Sequence, residues 1–188
     1  MPSLRSLLLA CCLLGSATAF AGNALDNKVI RVGTSADYPP ITTTAEGKVV
    51  GIDADLAAEL GKRTGKDFQF KVLPWSSLIM ALEQGDIDVI MSGMSITPER
   101  AEKVAFTTPY FSVGQMAIIR VEDLARFSSP LKSLQPNVRV GFVGGTTGAK
   151  YVKQFAGMTT LRSFASVEPA LQALLNGEID CLVHDSMT

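Results

Sequence analysis

Leu82-Glu83-Gln84-Gly85-Asp86-Ile87-Asp88-Val89-Ile90 is echoed near the end of the chain by Leu174-Leu175-Asn176-Gly177-Glu178-Ile179-Asp180-Cys181-Leu182. Both copies read Leu-x-x-Gly-acid-Ile-Asp and then run apolar. Each is preceded by apolar residues at helical spacing, Leu78, Ile79 and Leu82 in one, Leu171, Leu174 and Leu175 in the other. The glycine stands where a helix C-terminus takes a left-handed residue, and the run behind it is short and apolar like a strand buried on both faces. Each copy is therefore helix, stop, strand. A second echo opens each copy: Val29-Ile30-Arg31-Val32-Gly33 and Asn137-Val138-Arg139-Val140-Gly141 both read as a strand entering a loop. Between the paired signals, the first copy adds a helix over Asp53 to Arg63, with Leu56, Ala57 and Leu60 on one face and Gly65 as its stop. A strand over Phe68 to Leu73 follows. The second copy adds a helix from about Thr147 to Phe155 and a strand near Thr160 to Phe164. Strand, helix, strand, helix, strand, twice over, implies two similar α/β lobes with parallel pairing and right-handed crossovers. The apolar stretch Tyr110 to Val121 is the expected crossing between them. Ligands of open parallel sheets bind outside the carboxyl ends of strands, so two such lobes face each other across a cleft.

The chain has 188 residues, 17 Lys and Arg against 18 Asp and Glu, one His and three Cys. A nearly neutral chain carries no basic footprint for a nucleic acid, and that class is set aside. Residues 1–21 read as a secretory signal: a positive start through Arg5, an apolar run from Leu7 to Leu14, and Ala19-Phe20-Ala21 before Gly22 as a small-x-small cleavage site. The apolar run is far shorter than the roughly 20 residues that span a bilayer, so no stable membrane insertion is expected. Cys11 and Cys12 fall in this leader and leave Cys181 alone, so no disulfide within the remaining chain is possible.

Chemistry-bearing residues gather at the expected carboxyl ends of strands. Ser92-Gly93-Met94-Ser95-Ile96-Thr97-Pro98-Glu99-Arg100 follows one strand, with Thr97 as N-cap and Pro98 at the helix position that accepts proline. Arg100 in that first turn is placed to hold a carboxylate through two N–H groups. Gly144-Gly145-Thr146-Thr147-Gly148 lets backbone N–H groups approach an anion, but lacks the spacing of a nucleotide loop. Asp185 stands at the repeat equivalent of Gly93 and faces the cleft as an acceptor for an ammonium. Tyr38 and Trp75 sit at strand ends, where aromatic rings can sandwich a ligand side chain or pack at the core and rim. His184 and Cys181 are assigned to packing: adjacent strand residues point to opposite faces, and the odd offset between the two argues against a metal pair.

These segments resemble the bacterial solute-binding proteins of the polar amino acid family, which serve ABC importers. The matching residues are Val32-Gly33-Thr34 through Tyr38-Pro39-Pro40, Gly51-Ile52-Asp53-Ala54-Asp55-Leu56, Gly85 to Ile90, the Ser92 to Arg100 run, Phe106 to Tyr110, Gly145-Thr146-Thr147-Gly148 and Asp185. The resemblance implies a periplasmic binding protein-like fold of type II, with two similar α/β lobes, mixed but mainly parallel sheets, and an interlobe ligand cleft. It implies a leader at 1–21, lobe one over 22–117 and lobe two over 118–188, with the family's usual return to lobe one missing and apolar surface left uncovered. The implied function is periplasmic capture of a free L-amino acid and its delivery to an ABC permease, without catalysis, metal or cofactor. Carried over residue by residue, Arg100, Thr147 and Ser95 hold the ligand carboxylate. Asp185, Gly93 and Ser95 hold its ammonium, and Tyr38, Trp75 and Ser35 meet its side chain. Ser35 stands where binders of basic amino acids often carry an acid, which speaks against lysine or arginine, although Asp37 nearby leaves that open.

The competing reading is a cyclohexadienyl dehydratase-like enzyme on the same fold. Such enzymes resemble this family and carry a glutamate three residues after the lobe-two aspartate, where this chain has Thr188. A threonine is no proton donor near neutral pH, so the enzyme is disfavoured. The sensory module of a receptor is a third reading, disfavoured by the leader and the lack of a membrane span.

Overall fold

The computed structural model describes residues 28–129, 132 and 135–188. The leader expected at residues 1–21 lies outside them. The first sheet is parallel, ordered β5-β1-β6, from β1 (Val29–Thr34), β5 (Asp67–Val72) and β6 (Val89–Ile90). Helix α1 (Ile52–Thr64) crosses from the first side to β5, and α2 (Leu78–Glu83) returns to β6. The second sheet, ordered β7-β10-β8-β9, repeats this plan. Strands β8 (Arg139–Val143), β9 (Thr160–Phe164) and β10 (Cys181–Asp185) run parallel through α4 (Thr147–Lys153) and α5 (Val167–Leu175). One strand, β7 (Gln115–Ile119), joins β10 antiparallel and makes this sheet mixed. A small antiparallel sheet, β2 (Asp37–Tyr38), β3 (Thr42–Ala45) and β4 (Lys48–Val50), flanks the first sheet's carboxyl ends.

The sequence echo is a structural one. Arg31 donates its backbone N–H to Asp88 at 2.8 Å and its Nε and Nη2 to the same carboxylate at 2.9 and 2.7 Å. Arg139 makes the same three bonds to Asp180 at 2.8, 3.0 and 2.9 Å. In each copy an aspartate behind the Gly-acid-Ile stop therefore fastens the loop to the start of the central strand. Gly85 and Gly177, at φ of 75° and 71°, turn the chain between helix and strand.

Alternation along β10 shows why both faces are apolar. Cys181 and Val183 join Val140, Phe142, Ala149 and Val152 under α4, whereas Leu182 joins Ala170, Ala173, Leu174 and Ile179 under α5. Cys181 is fully buried and its thiol is pushed up to about 12 by that burial, consistent with packing rather than ligation. In the first unit, Ile30, Val32, Ala57 and Met91 form the corresponding core, with Leu56 and Leu60 of α1 packed on it.

Gly141 and Gly33 permit these layers to close. A Cβ on Gly141 would collide with Ile179 Cδ1 and stand 3.2 Å from Phe164 Cε2; on Gly33 it would collide with Ile87 Cδ1. Since Ile179 is fully buried, its side chain has no room to yield. Gly141→Ala should therefore cost about 1–3 kcal/mol, a fall in melting temperature of several degrees. Adding Ile179→Val removes the obstructing methyl group and should recover part of the loss, although that change alone costs about 0.5–1.5 kcal/mol. Simple additivity of the two losses in a denaturation series would show that the collision is not the cause.

Candidate functional site

Both central strands, β1 and β8, lie where the winding of their sheet reverses, the place at which open α/β sheets leave a crevice beyond the strand ends. Ser35, Asp37 and Tyr38 follow β1, Val143 ends β8, and Thr146 and Thr147 follow it. Ser92, Gly93 and Ser95 come from the end of β6, and His184 and Asp185 from the end of β10. Together with Trp75, Val167 and Arg100 they line one cleft of about 420 Å³, counting the part open to solvent. All eight residues singled out from the sequence, Ser35, Tyr38, Trp75, Gly93, Ser95, Arg100, Thr147 and Asp185, stand in it.

Arg100 sits in the single turn α3 (Pro98–Ala101), where Thr97 Oγ1 caps by accepting from Arg100 N at 3.3 Å. Its Nη1 donates to Ser95 O at 2.7 Å, its Nη2 donates to Gly145 O at 2.9 Å, and its guanidinium lies 5.2 Å over the Trp75 ring. Burial pulls its pKa down while Asp185 and Glu99 push it back up, and a guanidinium stays charged throughout. Glu99 also pairs with Lys150 of α4, outside the cleft. Next along, Thr146 Oγ1 accepts from Ala149 N and donates to Val143 O, so its hydroxyl is spent on capping α4. The hydroxyl of Thr147 is the one left facing the cleft.

Gly93 adopts φ 59°, and a Cβ there would stand 2.8 Å from Tyr38 Cε1, so the cleft wall needs glycine. Its N–H donates to Asp53 Oδ2 at 3.2 Å, and Tyr110 Oη donates to Asp53 Oδ1 at 2.7 Å. Burial raises the Asp53 pKa against both of these bonds. Tyr38 Oη is buried without a hydrogen-bond partner among the described residues, and its phenol pKa is raised by that burial and by Asp185. Ser35 is turned aside: its Oγ lies 2.9 Å from Ser92 Oγ, and its N–H donates to the same atom at 3.0 Å.

His184 departs from the expectation that packing is its whole role. It is buried, but it lines the cleft beside Asp185 and meets the Tyr38 ring edge-on at 5.4 Å. Alternation does separate the two residues; the cleft wraps round the end of β10, reaching above the starts of both α4 and α5, so both faces open into it. Burial lowers the His184 pKa against the pull of Asp185 and Asp37. Among the described residues no group of three or more His, Cys, Asp or Glu is arranged to hold a metal ion. A larger groove of about 1,040 Å³ lies on the first unit under Ile96, Phe106 and Phe111. Its lining contains no cation to pair with a carboxylate.

The sequence profile of the bacterial extracellular solute-binding proteins, family 3, matches residues 30–187. The chain belongs to this family. Among solute-binding relatives, a probable histidine-binding protein of Neisseria gonorrhoeae is 33% identical over 96% of this chain and 68% of its own length. The ABC transporter arginine-binding protein 1 of Escherichia coli is 35% identical over 97% of this chain and 72% of its own. In structure, the ancestral amino acid-binding protein AncCDT-1, a precursor of cyclohexadienyl dehydratase, superposes with a TM-score of 0.82 at 35% identity, covering 87% of this chain and 72% of that one. The arginine-bound form of truncated ArgBP from T. maritima gives 0.80 at 35% identity, over 88% and 77%. The fold is periplasmic binding protein-like, as the family resemblance implied. No helix among the described residues is long and apolar enough to cross a membrane.

Proposed function

We propose that this solute-binding chain captures a free amino acid with a cationic side chain between its two units and delivers it to an ABC permease. The observation that carries this reading is the meeting of Arg100 and Asp185 in one cleft. A zwitterion offers its carboxylate to Arg100, Thr147 and Ser95 and its ammonium to Asp185, Gly93 and Ser95. Because these groups come from both units, closure satisfies both charges at once and binding favours the closed form. The units act as jaws, the first built on the sheet β5-β1-β6 and the second on β7-β10-β8-β9, which moves the expected boundary between 22–117 and 118–188 back to the start of β7 at Gln115, after a leader at 1–21 has directed the chain to the periplasm.

Charge balance supports the cationic side chain. With His184 held neutral by burial, the lining carries Asp37 and Asp185 against Arg100, a net charge of −1. A neutral amino acid leaves that imbalance, whereas a guanidinium or ammonium at Asp37 removes it. Asp37 pairs with Thr43 through the backbone of β2 and β3, and its carboxylate makes no hydrogen bond or ion pair with another side chain among the described residues. The relatives named arginine-binding agree with this class, while others are named histidine- and L-cystine-binding. The weight given to Ser35 against a basic ligand is met by Asp37, two residues along.

Thermal melting of residues 22–188 with each free amino acid and with prephenate tests the reading. A ligand at one hundred times its Kd stabilises by about 2.7 kcal/mol, equivalent to about 5–10 °C for a chain of this size. Arginine, lysine or histidine should give that shift, and Asp37→Asn should shrink it while neutral amino acids gain. A shift with prephenate alone would favour the dehydratase instead.

A further inference from the structure

The strand β7 contributes one side chain to this neighbourhood that the sequence did not single out. Gln115 faces Asp185 directly in the antiparallel pairing of β7 with β10. Its Nε2 donates to Thr147 Oγ1 at 3.1 Å and also to Asp185 Oδ1. The amide lies in a tight slot: a Cβ on Gly148 would stand 2.8 Å from Gln115 Oε1 and 3.1 Å from Val183 O. Gln115 Oε1 is itself buried with no hydrogen-bond partner among the described residues. One amide thus bridges the two residues of the second unit to which the cleft reading gives the ligand's carboxylate and its ammonium.

We propose that Gln115 is a positioning residue that fixes the hydrogen-bond polarity of both Thr147 and Asp185 for an amino-acid ligand. This inference rests on the proposed reading of the cleft. An amide nitrogen donates and cannot accept, so Thr147 Oγ1 must spend a lone pair on it, and its own hydrogen is left to donate to a carboxylate. Thr146, already committed at both its donor and its acceptor, cannot substitute. Toward Asp185 the same amide is a neutral donor. It orients the carboxylate without cancelling its charge, so the full negative charge remains for an ammonium, which a lysine or arginine in this slot would neutralise. The orientation of the amide follows too: turning Oε1 toward Asp185 would set acceptor against acceptor.

Calorimetry of L-arginine and of its deaminated analogue, δ-guanidinovaleric acid, against wild type, Gln115→Met and Gln115→Glu tests this. Gln115→Met keeps length without a donor. It should weaken arginine about 10- to 100-fold and the deaminated analogue less, because only arginine needs Asp185. Gln115→Glu places a second carboxylate against Asp185, and the pair must share a proton to form the bridge. Its arginine affinity should be poor near pH 8 and recover relative to wild type toward about pH 5. Other titratable or charged groups around the slot are His184 on β10, Asp37 and Tyr38 on β2, and Arg100 on α3; the wild-type profile, measured alongside, carries their contribution. A merely structural glutamine would lower the melting temperature of the free protein but produce no such pH-dependent recovery. Wild-type affinity in Gln115→Met, or a Gln115→Glu profile parallel to wild type, overturns the inference while leaving the cleft reading standing. A wild-type protein that binds no amino acid overturns the cleft reading itself.

Discussion

Arg100→Ala should abolish amino-acid binding in the micromolar range while the free protein still melts cooperatively. The side chain donates to two backbone carbonyls, Ser95 O and Gly145 O, and stacks on Trp75. Its loss from the free protein forfeits two hydrogen bonds of about 1 kcal/mol each at a half-buried position. In the ligand complex the cost is larger, because a carboxylate enclosed in the closed cleft loses its counter-charge. Truncating one partner of a buried charge pair costs about 2–5 kcal/mol, or about 30- to several-thousand-fold in Kd. The neighbouring Glu99 gives the contrast. Its carboxyl is lowered to about 2, chiefly by Lys150, yet both side chains are exposed. Glu99→Ala should change affinity by no more than a few-fold. Calorimetry that returned wild-type affinity for Arg100→Ala, or equal losses for the two variants, would remove Arg100 from the site.

The repeat made the fold legible because it records two requirements at once. Gly33 and Gly141 must admit an isoleucine from the loop that leads into the neighbouring strand, and Asp88 and Asp180 must tie that loop back to Arg31 and Arg139. These needs arise within each unit and leave residue types at fixed spacing. The same spacing located the carboxyl ends of the strands, where the candidate site residues lie. What the sequence did not announce came from pairing between distant segments. Strand β7 reads as an apolar crossing until it is set antiparallel to β10, and only that register brings Gln115 opposite Asp185. His184 was assigned to packing by strand alternation, which holds along β10 but does not register a cleft that wraps round the strand's end. The hairpin β3–β4 did leave a local signal: Thr42 to Ala45 and Lys48 to Val50 flank Glu46-Gly47, both at positive φ. Such a Gly-containing turn between β-branched runs is a hairpin cue, overshadowed here by the helix beginning just beyond it.

The two copies diverge where they meet the cleft: one strand end presents Gly93, the other Asp185. Behind those ends the Arg–Asp staples are alike, and the second is the more buried in charge. Asp180 accepts from Arg139 N, Nε and Nη2 and from Arg126 Nη1 at 3.1 Å, with its side chain 5% exposed. Asp180→Ala strands the Arg139 N–H, uncouples the guanidinium groups of Arg126 and Arg139, and removes a longer ion pair to Arg120 at 4.0 Å, which keeps Asp123 as a partner. Arg126 and Arg139 are nearly half exposed and re-solvate in part, which brings the expected cost to about 2–3 kcal/mol. That corresponds to about 5–10 °C in melting temperature. Glu178→Ala, which breaks an exposed pair with Arg162 on the same loop, should cost well under half as much. The pH dependence has a definite sign. Arg139, above all, holds the Asp180 carboxyl below its usual range. Its contribution is therefore complete above the unfolded value of about 3.9 and is lost as pH falls through the lower folded value. The stability gap between wild type and Asp180→Asn should close on acidification below about pH 4. Asp53, raised by burial, acts in the opposite direction but is common to both proteins and cancels. A gap that stayed constant down to about pH 2, measured by urea denaturation at each pH, would show that the charge of Asp180 is not what fastens the loop.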